Sequence, residues 1–102
     1  MQRYHFEAQR HYGILDERLA QHPYVLGERY TIVDIAVWGW SRVVRYVLGE
    51  DARSRMPNLR RVFDEICARP AAVRANALKE QHAFKTEFDD NARRHLFWHL
   101  AA

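Results

Sequence analysis

The sequence predicts an all-α fold: a helical bundle in a single domain. Apolar residues recur at three- and four-residue steps in several windows, and no alternating strand pattern occurs. Pro23, Gly27, Gly49, Pro57 and Pro70 fall between those windows, where helices are expected to stop or start. The segment from Tyr30 to Trp40 adds a helix start written in its own side chains.

The first helix is expected from Gln2 to His22. Tyr4, Ala8, His11, Tyr12, Leu15 and Leu19 form its apolar stripe, with Glu7, Arg10, Asp16, Glu17 and Arg18 largely elsewhere. Pro23 stops it, because the residue before a proline is pushed out of the helical region. In the loop 23–29, Tyr24, Val25 and Leu26 are expected to pack down, with Gly27 supplying a turn.

The second helix is expected from Thr31 to about Val47. Thr31 suits the N-cap, since its hydroxyl can accept from a free backbone N–H of the first turn. Asp34, three residues on, can answer that bond and favours the positive end of the helix dipole. Tyr30 and Ile35 are placed to close a hydrophobic staple. Ile32, Val33, Ile35, Ala36, Val37, Trp38 and Trp40 leave no polar face over the first turns. A helix apolar all round is expected to be buried on all sides. Beyond Trp40, Ser41, Arg42 and Arg45 are expected to face water, and Val43, Val44, Val47 and Leu48 to continue the core. Gly49 is the expected C-cap.

Pro57 opens the third helix at a first-turn position it tolerates. Leu59, Val62, Phe63, Ile66 and Cys67 form its stripe, and Arg69-Pro70 ends it. Pro70 also starts a short fourth helix, running to about Gln81 with Val73, Ala77 and Leu78 on its inner side. The segment 82–102 carries Phe84, Phe88, Leu96, Phe97, Trp98 and Leu100. That is too apolar for a free tail, so it is expected to fold back over the domain or to lie on a partner.

Composition narrows the function. At 102 residues the chain is one domain at most. Its net charge of +3 comes from 16 basic and 13 acidic residues, in no long block of one sign, so no nucleic-acid partner is expected. Cys67 is the single cysteine, which favours a reducing compartment. The N-terminal residues carry no signal-peptide pattern, and no run is long enough to span a bilayer. A soluble, cytoplasmic protein with no membrane partner is expected.

Three motifs, in order, carry a family resemblance. The first is Arg3-Tyr4-x-x-Glu7-x-x-Arg10-x-Tyr12-x-x-Leu15-Asp16-x-x-Leu19. The second is Tyr24-x-x-Gly27-x-x-Tyr30-Thr31-x-x-Asp34-Ile35-Ala36. The third is Pro57-x-Leu59 leading to Ile66-x-x-Arg69-Pro70-Ala71. Together they resemble the C-terminal helical domain of cytosolic glutathione S-transferases over about the first 80 residues. The Arg-Tyr opening and the Trp38-x-Trp40 pair are similar to the bacterial nu-class group, itself similar to disulfide-bond reductases. That group usually has Pro between the tryptophans; here Gly39 stands there.

The resemblance implies a half-enzyme. A complete transferase begins with a thioredoxin-like domain that binds and activates glutathione, and nothing in these residues resembles it. The first helix of the family's C-terminal domain is also missing from the match. The chain is therefore expected to supply the substrate-binding and dimerisation half, with glutathione as co-substrate of the complete enzyme and little activity alone. The alternative is a non-catalytic helical interaction or scaffold module.

Site residues follow from the same resemblance. Arg3 is the implied glutathione-binding residue, since a guanidinium can pair bidentately with a carboxylate; a solvated helix-terminal arginine is the plain alternative. Tyr4, His5, His11, Tyr12 and Trp38 are the implied hydrophobic substrate pocket, set against ordinary packing roles. Thr31 and Asp34 are expected to be structural. No catalytic residue is implied. His95 and His99 have a helical metal spacing, but no Cys, Asp or Glu inside that span completes a set and Asp89 and Asp90 are only loosely placed, so no metal is expected. Cys67, on a buried stripe, is expected to be an inert core thiol. The implied partners are a second copy or a thioredoxin-like half, and a small hydrophobic electrophile. The absent first helix is expected to leave a groove over Tyr12, Leu15 and Trp38.

Overall fold

A computed structural model describes residues 2–100. Six α-helices follow one another: α1 (Gln2–Gln21), α2 (Ile32–Ser41), α3 (Val44–Leu48), α4 (Pro57–Cys67), α5 (Pro70–Ala77) and α6 (Asp90–Leu96). Short 3-10 turns follow α5 at Leu78–Gln81 and α6 at Trp98–Leu100. No strand forms among the described residues; Tyr24 and Gly27 make one isolated bridge. The fold is all-α, as the periodicity predicts.

The core is built on α4. Leu59, Val62 and Ile66, three and four residues apart, are buried along one side of it. They meet Leu19 of α1, Val44 and Leu48 of α3, Ala52 and Met56 from the intervening turns, and Ala72 of α5. Phe63 and Cys67 are half-buried at the margin. Along α5 the inward residue is Ala72, while Val73 and Leu78, expected inside, are exposed.

The capping box forms as its spacing predicts. Thr31 Oγ1 accepts from Val33 N at 3.2 Å, and Asp34 Oδ2 accepts from Thr31 N at 2.8 Å. Asp34 is 0% exposed. Its other oxygen, Oδ1, accepts from Val25 N at 2.9 Å and so also ties down the preceding loop. Arg18 of α1 holds the same residue from the other side, donating to Val25 O at 2.9 Å. Gly27 closes that loop with φ 120, a conformation side chains disfavour. Tyr24 and Val25 pack down, but Leu26 points outward.

Several expectations for the second helix fail. It is not buried on all sides: Ile32 is 81% and Trp40 72% exposed, and Ile35 and Ala36 also face outward. Tyr30 stacks edge-on with Tyr24 at 5.6 Å and lies under the Arg69 guanidinium at 3.6 Å, while Ile35, its expected staple partner, stays exposed. The helix also ends early. Val43 N donates to Trp40 O at 3.1 Å, an i to i+3 step that breaks the ladder before α3 begins. The buried residues on this stretch are Asp34, Ser41, Val44 and Leu48, which lie three, four or seven apart. Ser41, expected in water, is 2% exposed and its hydroxyl finds no partner. Val43 and Val47, expected inside, face outward. Gly49 caps α3 with φ 97, as expected.

A second carboxylate joins helices across the bundle. Asp16 Oδ1 accepts from Asn58 N at 2.9 Å and Leu59 N at 2.8 Å, and Oδ2 from Asn58 Nδ2 at 3.1 Å. Met56, the residue before α4, offers no side-chain cap. Asp16 of α1 supplies it instead, satisfying free amides of the first turn. In return Arg61 of α4 donates to Leu19 O at 2.9 Å and His22 O at 3.2 Å, where the last carbonyls of α1 attract a cation.

Among the described residues the tail does not pack over the domain. Phe84, Phe88, Leu96 and Trp98 are exposed, and α6 packs on the turn that follows it. Asp89 caps α6 by accepting from Ala92 N at 2.8 Å and pairs with Lys85. The chain is correspondingly long, 53 × 36 × 24 Å. Ala101 and Ala102, the end of that tail, lie outside the described residues.

Asp34→Ala is expected to lower the unfolding free energy by about 3 kcal/mol, since two buried charge-assisted bonds are lost together. Thr31→Ala removes one neutral cap bond and is expected to cost about 1 kcal/mol. Urea denaturation of both variants checks the order; equal losses would show that the loop tie to Val25 carries nothing.

Candidate functional site

Helices α1 and α4 pack closely, and α2 also packs on α4. Between α1 and α2 the surface stays open. A groove of about 360 Å³ runs there, lined by Ala8, His11, Tyr12 and Leu15 on one wall and Val33, Ala36, Val37 and Trp40 on the other. Its walls are apolar except for His11 and the Tyr12 hydroxyl, which suits an apolar ligand or a covering element rather than a metal or phosphate.

Tyr12 fixes the groove's floor. Its hydroxyl donates to Trp40 O at 3.0 Å. That carbonyl lies where α2 breaks, and helix ends leave carbonyls without intrahelical partners. The bond thereby couples the middle of α1 to the end of α2. Burial holds the Tyr12 phenol above its ordinary pKa by disfavouring the charged form.

His11 lies exposed at the rim, with Nε2 at 3.0 Å from the Arg10 guanidinium and 3.6 Å from Glu7. Arg10 and Glu7 themselves pair at 2.9 Å.

The five pocket residues implied by the sequence do not gather in one place. His11 and Tyr12 line the groove. Tyr4 and His5 line a separate open depression with Phe6, Gln9 and Val47, and Tyr4 is 80% exposed. Trp38 lies on the opposite side of α2, half-buried, with Nε1 donating to Cys67 Sγ at 3.2 Å and Arg42 5.4 Å from its ring centre. Trp40, two residues later, takes the place in the groove expected of Trp38. Arg3 is exposed in the first turn of α1. Val33, Ala36, Val37 and Ala8 are wall residues whose place beside the groove the sequence did not indicate; Ala8 and Val37 also pack against the core, while Ala36 is exposed.

No group of three or more His, Cys, Asp or Glu side chains gathers as a metal site among the described residues. His95 Nδ1 bonds Asn91 O at 2.8 Å, and α6 ends at Leu96, so His95 and His99 do not share a helical face. Among the described residues no helix is long and apolar enough to cross a membrane.

The family model described as glutathione S-transferase, C-terminal domain, matches residues 7–65. Over 38 residues the chain is 50% identical to the disulfide-bond oxidoreductase YghU of Escherichia coli, covering 37% of this chain and 13% of that protein. It is 35% identical over 75 residues to the disulfide-bond oxidoreductase YfcG of the same organism, covering 74% of this chain and 34% of the relative. A glutathione S-transferase domain-containing protein of Dictyostelium discoideum is 36% identical over 77 residues, covering 74% and 30%. The chain thus spans about a third or less of the curated relatives it matches. No solved structure matches it significantly.

Because the folded-state pKa of Tyr12 is raised, the stability it brings is fully present below about pH 10 and is lost as pH rises through the shifted value. Tyr12→Phe is expected to abolish that part of the alkaline loss and to cost about 1 kcal/mol at neutral pH for the missing bond. Denaturation at neutral and alkaline pH, paired with ultraviolet phenolate titration, checks both.

Proposed function

The chain belongs to the glutathione S-transferase C-terminal domain family, and on that premise we propose that it forms the substrate-binding and dimerisation half of a nu-class-like transferase. The family implies glutathione as co-substrate. In this proposal the reaction is glutathione conjugation or glutathione-dependent disulfide reduction, the latter suggested by relatives named as disulfide-bond oxidoreductases. Activation of the glutathione thiol belongs to a thioredoxin-like partner half.

The observation that carries the proposal is the open apolar groove between α1 and α2. It offers a wall for a small hydrophobic electrophile, with His11 and Tyr12 as its polar points. Tyr4 and His5, in their own depression near the start of α1, form a second part of the proposed substrate surface, beside Arg3 as the proposed contact for a glutathione carboxylate. Trp38 acts from behind α2 by supporting the helix. Thr31 and Asp34 hold α2 in place and take no part in the chemistry. The cytoplasm is the proposed compartment.

Assayed alone with glutathione and an aromatic electrophile, the chain is expected to turn over no faster than background. Calorimetry is expected to show glutathione binding weaker than about 1 mM, since most of the pocket's contacts are lacking. Turnover well above background would place a complete active site within these residues and end the half-enzyme proposal.

A second reading, a non-catalytic interaction module, is favoured by a specific observation. Ile32, Ile35 and Trp40 form an uncovered apolar run along α2, and the tail exposes Phe84, Phe88 and Trp98. Faces of that kind mark contact surfaces. Light scattering after size exclusion is expected to show a dimer under either reading. A clean monomer that binds no hydrophobic dye would count against both docking faces.

A further inference from the structure

Behind α2, on the side away from the groove, a second cleft of about 380 Å³ is lined by four stretches of the chain, within 38–46, at Arg53, within 63–67 and within 76–79. Arg42 comes from the break after α2, Arg45 from α3, Arg53 from the turn before α4, and Lys79 from the turn after α5. No Asp or Glu lines this cleft. None of the four cations reaches ion-pair distance of a carboxylate among the described residues, whereas Arg10, Arg55, Arg60, Arg69 and Lys85 all do. Glu50 is near enough for Arg45 to feel its charge, but it stands outside the cleft.

The guanidinium groups are held in place. Arg42 lies 5.4 Å from the Trp38 ring centre, Arg45 4.7 Å from Tyr46, and Arg53 4.3 Å from Phe63. Stacking on a ring orients a guanidinium while leaving most of its five donors free. Arg42 gives one bond to Asn76 Oδ1, and Arg45 one to the Tyr46 hydroxyl. Four like charges facing one hollow make it attractive to an anion, most of all at low ionic strength. The charge is too high for a single carboxylate, and guanidinium forks match phosphate oxygens bidentately. The volume falls in the range of small-molecule sites, about 300–1,000 Å³.

We propose that this cleft binds a small polyanion carrying two or three linked phosphates, with the Trp38, Tyr46 and Phe63 rings available to a flat group attached to it. Inorganic tripolyphosphate and adenosine triphosphate share that chemistry, and they differ in the flat group. Calorimetric titration of the full chain with each, at low ionic strength, is the test. Binding of both at micromolar concentrations is expected, weakening about tenfold or more at high salt as screening sets in. Tighter binding of the nucleotide would identify the rings as part of the site, and equal binding would identify the phosphate chain as the whole ligand; either supports a polyanion site. Arg53→Gln and Lys79→Gln are each expected to weaken binding several-fold, while Arg10→Gln, on α1, leaves it unchanged. Lys79 is exposed and makes no hydrogen bond among those described, so its variant remains informative if Arg53→Gln perturbs folding. Binding weaker than about 1 mM for both probes, or equal weakening by Arg10→Gln and Lys79→Gln, would overturn the proposal.

Discussion

A carboxylate with no exposed surface organises this molecule. Asp34 takes two backbone N–H donors, one from Thr31 and one from Val25, so a single side chain starts α2 and pins the loop that leads into it. A buried carboxylate left unpaired would cost several kcal/mol. The loop and the helix start are therefore bound to the same group and must be placed together. The orientation of α2 about its own axis follows from that point. With Asp34 inward, Ser41 and Leu48, seven and fourteen residues on, are inward as well.

The consequence is a helix whose polar residues are inside and whose apolar residues are partly outside. Ile32, Ile35 and Trp40 carry exposed surface because the helical phase leaves them no alternative. The groove between α1 and α2 is the concave part of that face, and the Tyr12–Trp40 bond sets its base. Its apolar walls are the feature on which the proposed substrate-binding role rests. The opposite side of α2 differs in character. There the break at Arg42 and Val43 turns basic side chains toward others from α3, from the turn before α4 and from beyond α5.

Carboxylate capping recurs at two other helix starts. Asp16 closes the start of α4 from α1, and Asp89 closes the start of α6 locally. Arg61 performs the reciprocal task at the end of α1. The bundle is small, with nine buried apolar residues in its core, so satisfied helix ends count for much of its specificity. The tail's aromatics Phe84, Phe88 and Trp98 stay exposed and find no place on that small core.

Local chemistry in the sequence determined the starts of α2, α4 and α5, but not the break after α2 or the helix in the tail. Thr31 and Asp34 specify a cap through contacts within three residues, Gly27 and Gly49 sit where φ is positive, and Pro57 and Pro70 each open a helix. The three-four spacing of Leu59, Val62 and Ile66 identified the buried side of α4. The family resemblance was legible for the same reason: its motifs are caps, turns and helix breaks. Tertiary structure alone decided which side of α2 faces in, that Asp16 serves α4, that Trp40 rather than Trp38 borders the groove, and that Arg42, Arg45, Arg53 and Lys79 share a cleft. Each of these depends on contacts between residues distant along the chain. Where nearly every position of a helix is apolar, hydrophobicity carries no phase, and only a buried polar anchor such as Asp34 can set it.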